Sequence, residues 1–462
     1  MNQPGDILLI SCYELGHQPL GLASPLGFLH AAGYPAAGID ASAERIPEAR
    51  IAKARFIGIS VPMHTAMRVG MEIAQRVRAV NPGAYLCFYG LYASLNAGYL
   101  LSHGADAVIG GEYEYPLLAL VQALDRGDAG PVEGVSTPRH TSAPYLRRLS
   151  FALPHRSGLP ALKGYAHLDA GDGAAPAGYV EASRGCLHTC LHCPITPVYR
   201  GRFFVVPLQT LLDDIEQLVR MGARHITFGD PDFLNGPGHA LKVVRAMHAR
   251  FPALTFDFTT KIEHILEHPA LFPELKDRGG AFVVSALEST NDLVLARLEK
   301  GHTRADIDRA LDILDAACLP MRPSLLPFTP WATLADYTDL FAFVEDRGLI
   351  DHIDPVQYTL RLLVPPGSAL LDRAETYAWL GPLDEAAFTY RWAHPDPRMD
   401  RLHAQASRLV EEADRQRENP RVTFYRLQAL ARTAANLPSP PRPSFLPPER
   451  RRVPRLTESW FC

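Results

Sequence analysis

The stretch EASRGCLHTCLHCPI (residues 181–195) gathers three of the seven cysteines of a 462-residue chain. Cys186, Cys190 and Cys193 are spaced C-x3-C-x2-C, close enough for one loop to wrap a single bound group. The opening MNQPGDILLISCYELG has no basic n-region and only a short apolar run, so a signal peptide is not expected. No stretch approaches the ~18 apolar residues that a membrane span needs. The expected location is therefore cytoplasmic, where thiols stay reduced and clustered cysteines are ligands or catalysts rather than disulfides. Apolar residues make up 47% and charged residues 21%, the balance of a soluble globular enzyme. With 46 basic and 50 acidic side chains the net charge is −4; neither a nucleic-acid footprint nor a membrane partner is expected.

Outward from the cysteines, strands and helices alternate. DILLISC (6–12), FIGISV (56–61), AYLCFYG (84–90) and AVIGG (107–111) read as buried strands, with helical periodicity in 22–34 and 66–83. This pattern predicts a doubly wound parallel sheet over 1–128. Residues 129–178 are rich in Gly, Pro and small polar residues and read as a linker. Over 179–372 the alternation resumes: strands at 225–230, 254–260, 281–289 and 354–364, helices at 208–222, 239–251 and 303–317. Repeated β/α units of this length predict a full or partial barrel with its functional loops at the C-terminal strand ends. Residues 373–436 read as helical, and 437–462 as an extended tail with seven prolines between 438 and 454. The fold class is thus α/β, Rossmann-like domain first and barrel second.

Three thiolates in one loop suit an iron–sulfur cubane in which one iron is left open for a substrate or cofactor. A structural zinc site would need a fourth ligand, which His188 or His192 could supply. Otherwise both histidines read as loop residues.

CLHTCLHC resembles the C-x3-C-x-Φ-C signature of the radical S-adenosylmethionine (radical SAM) superfamily, with His192 where an aromatic is usual. The resemblance implies that Cys186, Cys190 and Cys193 ligate a [4Fe–4S] cluster whose open iron binds S-adenosylmethionine. It also implies an electron donor such as flavodoxin or ferredoxin. Gly229, Asp230 and Pro231, in FGDPDF, stand where the family binds the methionine amino group, although Asp230 reads equally as a turn residue. SALESTNDLVLARLEKGHT (285–303) resembles the family's strand-to-helix segment, which implies that Glu288 and Ser289 face the cofactor. Lys300 reads as solvated or capping, and Lys261 and Arg322 as carboxylate holders or surface ion pairs.

QPLGLASPLGFLHAAGY, FIGISV and GGEYEYP resemble the cobalamin-binding domain that often precedes such a barrel. Gly90, Ser94 and Gly110 are the positions at which backbone would approach the corrin or its nucleotide tail; Gly90 also reads as a tight turn. The cobalt-ligating Asp-x-His-x-x-Gly motif is missing, and His17 lacks the aspartate at the required offset. The ending RLTESWFC resembles proteins of this class that finish Cys-Cys-Ala-Glu-Pro or Cys-Sec-Ala-Glu-Pro, so Cys462 would stand just before a selenocysteine position; the plainer reading is a frayed tail with an incidental cysteine. The implied function is cobalamin-dependent methyl transfer to an unactivated carbon of a small molecule or peptide, with no individual catalytic residue assigned. The alternatives are cobalamin-independent rearrangement or cyclisation, and a metal- or redox-responsive iron–sulfur protein.

Overall fold

The computed structural model describes residues 1–438 and 453–458, apart from positions 129 and 172. The first domain is built on β1 (Ile7–Ser11), β2 (Ala37–Asp40), β3 (Phe56–Ser60), β4 (Tyr85–Tyr89), β5 (Ala107–Ile109) and β6 (Val135–Ser136). Their order is β2-β1-β3-β4-β5-β6, parallel except for the last pair. The strands are apolar throughout because both faces are covered. Successive residues point to opposite faces. Leu8, Ile10, Ile57, Ile59, Leu86 and Phe88 therefore join one core, and Ile7, Leu9, Phe56, Cys87 and Tyr89 the other.

The barrel domain contains β7 (His167–Asp169), β8 (Ala174–Val180), the ribbon β9 (Ser183–Gly185) with β10 (Phe203–Val205), then β11 (His225–Phe228), β12 (Thr255–Thr259), β13 (Gly280–Glu288) and β14 (Met321–Leu325). A hairpin of β15 (Leu380–Asp384) and β16 (Thr389–Trp392) follows, then the helices Pro397–Arg415 and Pro420–Ala434, then β17 (Arg455–Leu456). The large sheet runs β14-β13-β12-β11-β8-β7-β17; β8 and β11 to β14 are parallel, and β7 and β17 antiparallel. Five parallel strands make a partial barrel. Alternation sends Ile226, Phe228, Phe256 and Phe258 into the core and leaves His225, Thr227 and Asp257 to bond one another on the other face.

The structure corrects four expectations. The strand expected at 354–364 is mainly the 3-10 turn Pro355–Thr359, followed by a single bridge from Arg361 to Phe328. Pro355 has no N–H for a ladder, and the Gln357 side chain caps β14 by accepting from the Leu325 N–H at 3.0 Å. The region 373–436 opens with the β15–β16 hairpin before it becomes helical. The linker 129–178 is largely built in: β6 extends the first sheet, β7 and most of β8 enter the second, and Arg156 is buried in a clamp. Its guanidinium bonds both oxygens of Asp214 (2.6 and 2.7 Å), Gln18 (3.0 Å) and the Tyr179 carbonyl (2.9 Å).

The fourth correction concerns the tail, which is not frayed at 455–458. Arg455 and Leu456 pair with Asp169 and Leu168, and Thr457 N–H donates to the His167 carbonyl at 2.8 Å. Leu456 packs with Leu168, Phe282 and Val284, and Arg455 reaches Asp354 at 3.7 Å, so the segment adds an edge strand to β7 and touches β13 and the turn after β14. The proline-rich stretch 439–452 and Cys462 lie outside the described residues.

Candidate functional site

The three cysteines leave the β9–β10 ribbon. Gly185 permits the tight start of their loop: its φ is +76°, and a Cβ there would lie 2.4 Å from the Arg202 carbonyl oxygen. Asn235 then fixes the first turn, its Oδ1 accepting from the Leu187 N–H at 3.1 Å and lying 3.7 Å from Cys186 Sγ. Farther along, Leu191 N–H donates to the Leu298 carbonyl (3.0 Å) and Thr196 Oγ1 to the Cys190 carbonyl (2.9 Å).

Cys190 is buried and the other two are half-buried. Burial pushes the Cys186 thiol up to about 12 and the Cys193 thiol up to about 11, against backbone N–H groups of His188 and of Ile195 and Thr196 that favour the thiolates. Such thiols do not ionise alone at neutral pH; coordination to a metal supplies the driving force. The donor set fits a cluster with three protein ligands. Among the described residues the remaining cysteines are elsewhere, Cys12 and Cys87 in the first domain and Cys318 exposed. For the zinc alternative, His192 has its Nε2 held 3.2 Å from Glu288 Oε1, which leaves only Nδ1 as a possible fourth ligand.

Glu288 ends β13 with φ +61°, a left-handed conformation that costs a non-glycine residue free energy, at a register shift against β14. It is buried and also meets Lys300 Nζ at 3.1 Å; burial opposes its charge, but Lys300 and His192 hold its carboxyl far below the usual range. Lys300 is thus 3% exposed and ion-paired rather than solvated, and its charge also faces Cys190 and Cys193. His192 is likewise a partner of Glu288, not a plain loop residue. Ser289 Oγ accepts from the Asn291 N–H at 3.1 Å.

At the end of β11, Gly229 lies under the Tyr179 ring, where a Cβ would come within 2.0 Å. Asp230 is buried and faces the start of the cysteine segment: Oδ2 accepts from the Ala182 N–H (2.8 Å) and Oδ1 from Ser183 Oγ (2.6 Å). Pro231 follows, half-buried. Burial raises the Asp230 carboxyl to about 7 despite those bonds. Because its folded value lies above its unfolded one, the stability it contributes is full below about pH 4 and is lost as pH rises through about 7. Asp230→Asn is therefore expected to flatten the fall in unfolding free energy between about pH 5 and 8, measured by urea denaturation across that window.

In the first domain, Gly90, Ser94 and Gly110 meet at the C-terminal ends of β4 and β5. Gly90 has φ +108°, and a Cβ on Gly110 would lie 2.4 Å from Ser94 Oγ. These glycines thus also serve the chain's own packing. His17 is buried and stacked on Tyr179 of the barrel at 4.8 Å, and burial lowers it to about 4, so the ring is neutral. The acidic residues of GGEYEYP turn to the barrel: Arg184, two residues before Cys186, meets Glu114 at 2.5 Å, Glu181 at 2.7 Å and Glu112 at 3.5 Å. Tyr199 donates to Glu112 at 2.9 Å. Arg322 pairs with Asp354 at 2.8 Å with Nη1 unpartnered, and Lys261 Nζ lies 3.2 Å from His188 Nδ1 and pairs with Glu263. Arg184, Asn235 and Asp232 were not singled out in the sequence; adjacency of Arg184 to the cysteines was its only signal.

The structure thus sets a three-cysteine loop after the first parallel strand of a partial barrel, with a doubly wound domain packed against it. Residues 180–336 match the Radical SAM superfamily profile, so the chain carries a radical SAM domain, which implies a [4Fe–4S] cluster and S-adenosylmethionine. Among curated proteins it is 25% identical over 178 residues to the ribosomal protein uS12 methylthiotransferase RimO of Chlorobium phaeobacteroides, covering 36% of this chain and 40% of that one. It is 25% identical over 205 residues to a tRNA-2-methylthio-N(6)-dimethylallyladenosine synthase of Erythrobacter litoralis, covering 41% and 44%. The chain thus spans about two fifths of these relatives' length. The fold is similar to that of the cobalamin-dependent radical SAM enzyme OxsB, solved with aqua-cobalamin and S-adenosylmethionine (TM-score 0.69, 13% identity, 88% of this chain and 66% of that one). It is likewise similar to that of the radical SAM methyltransferase TsrM from Kitasatospora setae, solved with tryptophan and a SAM analogue (TM-score 0.62, 16% identity, 82% and 77%). No helix among the described residues is long and apolar enough to cross a membrane.

Proposed function

We propose that the chain is a cobalamin-dependent radical SAM enzyme that transfers a methyl group to an unactivated carbon of a small molecule or peptide. The observation that carries this reading is the seating of the first domain against the barrel, with His17 stacked on Tyr179 and Tyr165 donating to Asp40 at 2.7 Å, in a fold shared with OxsB and TsrM. When bound, the cluster and S-adenosylmethionine supply a 5′-deoxyadenosyl radical for hydrogen abstraction, and cobalamin supplies the methyl group. Cys186, Cys190 and Cys193 hold the cluster. Gly229, Asp230 and Pro231 shape the strand end that receives the methionine part, Asp230 by fixing the segment before the cysteines. Glu288 and Ser289 border the same mouth, and Gly90, Ser94 and Gly110 give backbone approach to the corrin or its nucleotide tail. The buried interdomain contacts exclude water from the space between, and the reducing electron comes from a flavodoxin- or ferredoxin-type donor.

The test is iron and cobalt per chain after anaerobic purification from cobalamin-supplied cells, with product analysis. About four irons and one cobalt, with 5′-deoxyadenosine and S-adenosylhomocysteine formed together, are the expected result. Four irons without cobalt, and deoxyadenosine alone, would move the assignment to cobalamin-independent rearrangement or cyclisation.

A further inference from the structure

We propose that His188, Asp232 and His264 form a second metal site, for one divalent transition ion, beside the cysteine loop. His188 lies between Cys186 and Cys190, Asp232 on the turn after β11, and His264 on the helix Ile262–Glu267 after β12. One ligand atom from each lies within 4.8 Å of the other two.

The orientation of Asp232 is set by its other oxygen. Oδ1 accepts from the Leu234 N–H (3.1 Å) and Thr260 Oγ1 (2.8 Å), which leaves Oδ2 aimed at the histidines. Oδ2 is 2.9 Å from His264 Nδ1 and 3.5 Å from His188 Nε2. Despite that proximity, all three atoms are buried and none has a hydrogen-bond partner of acceptable geometry. Buried polar atoms without partners are rare and costly, and three at one place call for a ligand. Asp232 is 1% exposed, so bulk water does not satisfy it.

Two imidazoles and one carboxylate are a donor set for Zn2+ or Fe2+, with at least one position left for water. A metal on His188 Nε2 requires the ring proton on Nδ1. There Glu263 Oε2 lies 3.6 Å away and Lys261 Nζ 3.2 Å; the two are paired with each other, so on metal binding Lys261 has to swing off Nδ1 for the carboxylate to take that proton. The ion would tie the cysteine loop to the ends of two barrel strands, β11 and β12.

The test uses the full chain with its irons, purified anaerobically and titrated with Zn2+ alone. We expect one zinc per chain, with nitrogen and oxygen neighbours at about 2.0–2.1 Å in its X-ray absorption and no sulfur shell near 2.3 Å. His264→Ala should weaken zinc binding by about 100-fold or more. His188→Asn, on the half-exposed loop, should do the same should the first variant fail to fold. A Cys190→Ala chain should keep its zinc. A sulfur shell, zinc lost with Cys190, affinity untouched by the histidine variants, or no tight zinc at all would each overturn the site.

Discussion

A Cys190→Ala chain is expected to fold, to hold far fewer than the normal irons, and to lose adenosylmethionine cleavage by at least about 10³-fold. The loop should persist because its backbone is held independently of the sulfur. Leu191 N–H bonds Leu298 and Thr196 Oγ1 bonds the Cys190 carbonyl, both through main-chain groups that alanine retains. What is lost is one of three iron ligands, and the nearby His192 Nε2 is held by Glu288 at 3.2 Å and does not replace it. Iron analysis and deoxyadenosine formation, measured on variant and parent together, check this. Iron retained with cleavage abolished would place Cys190 outside the ligand set. Iron lost with cleavage retained would remove the cluster from the chemistry, and both retained would reject the site.

Arg184→Met carries the second large effect. Arg184 is 7% exposed and faces three carboxylates, Glu112, Glu114 and Glu181, so its removal leaves buried negative charge without a cation. Breaking such a cluster from one side costs about 3–5 kcal/mol. The loss should appear as a lower urea midpoint and, because Arg184 lies two residues before Cys186, as reduced iron content. A second change, Glu114→Gln, should restore part of the stability. A loss below about 1 kcal/mol would mean that the network behaves like an exposed, solvent-screened one.

The Arg184 cluster also shows where reading from sequence stops. GGEYEYP reads as part of a cofactor-binding domain and EASRGCLHTCLHCPI as a ligand loop, yet nothing local says that the acidic residues of one grip the arginine of the other. The same holds for Glu288 with His192, and for His188, Asp232 and His264, which come from three separate β/α units. Lys300 illustrates the error this produces: a lysine near a helix start reads as solvated, and only its buried carboxylate partner makes burial tolerable. Two local misreadings have other causes. The apolar run at 354–364 has strand composition but Pro355 at its head, and the β15–β16 hairpin lacks a two-residue turn signal between its strands.

By itself the sequence determined the α/β class, the doubly wound first sheet, the repeated units of the barrel and the loop that carries Cys186, Cys190 and Cys193. Each of these is written in local periodicity or in fixed spacing, which short-range sterics and burial enforce. Only the tertiary structure decided how the tail pairs with β7, how Arg184 joins the domains, and how Glu288, Lys300 and His192 meet. Those contacts join residues distant in the chain, and their partners are selected by strand order and by the need to satisfy buried charge, neither of which a local window contains.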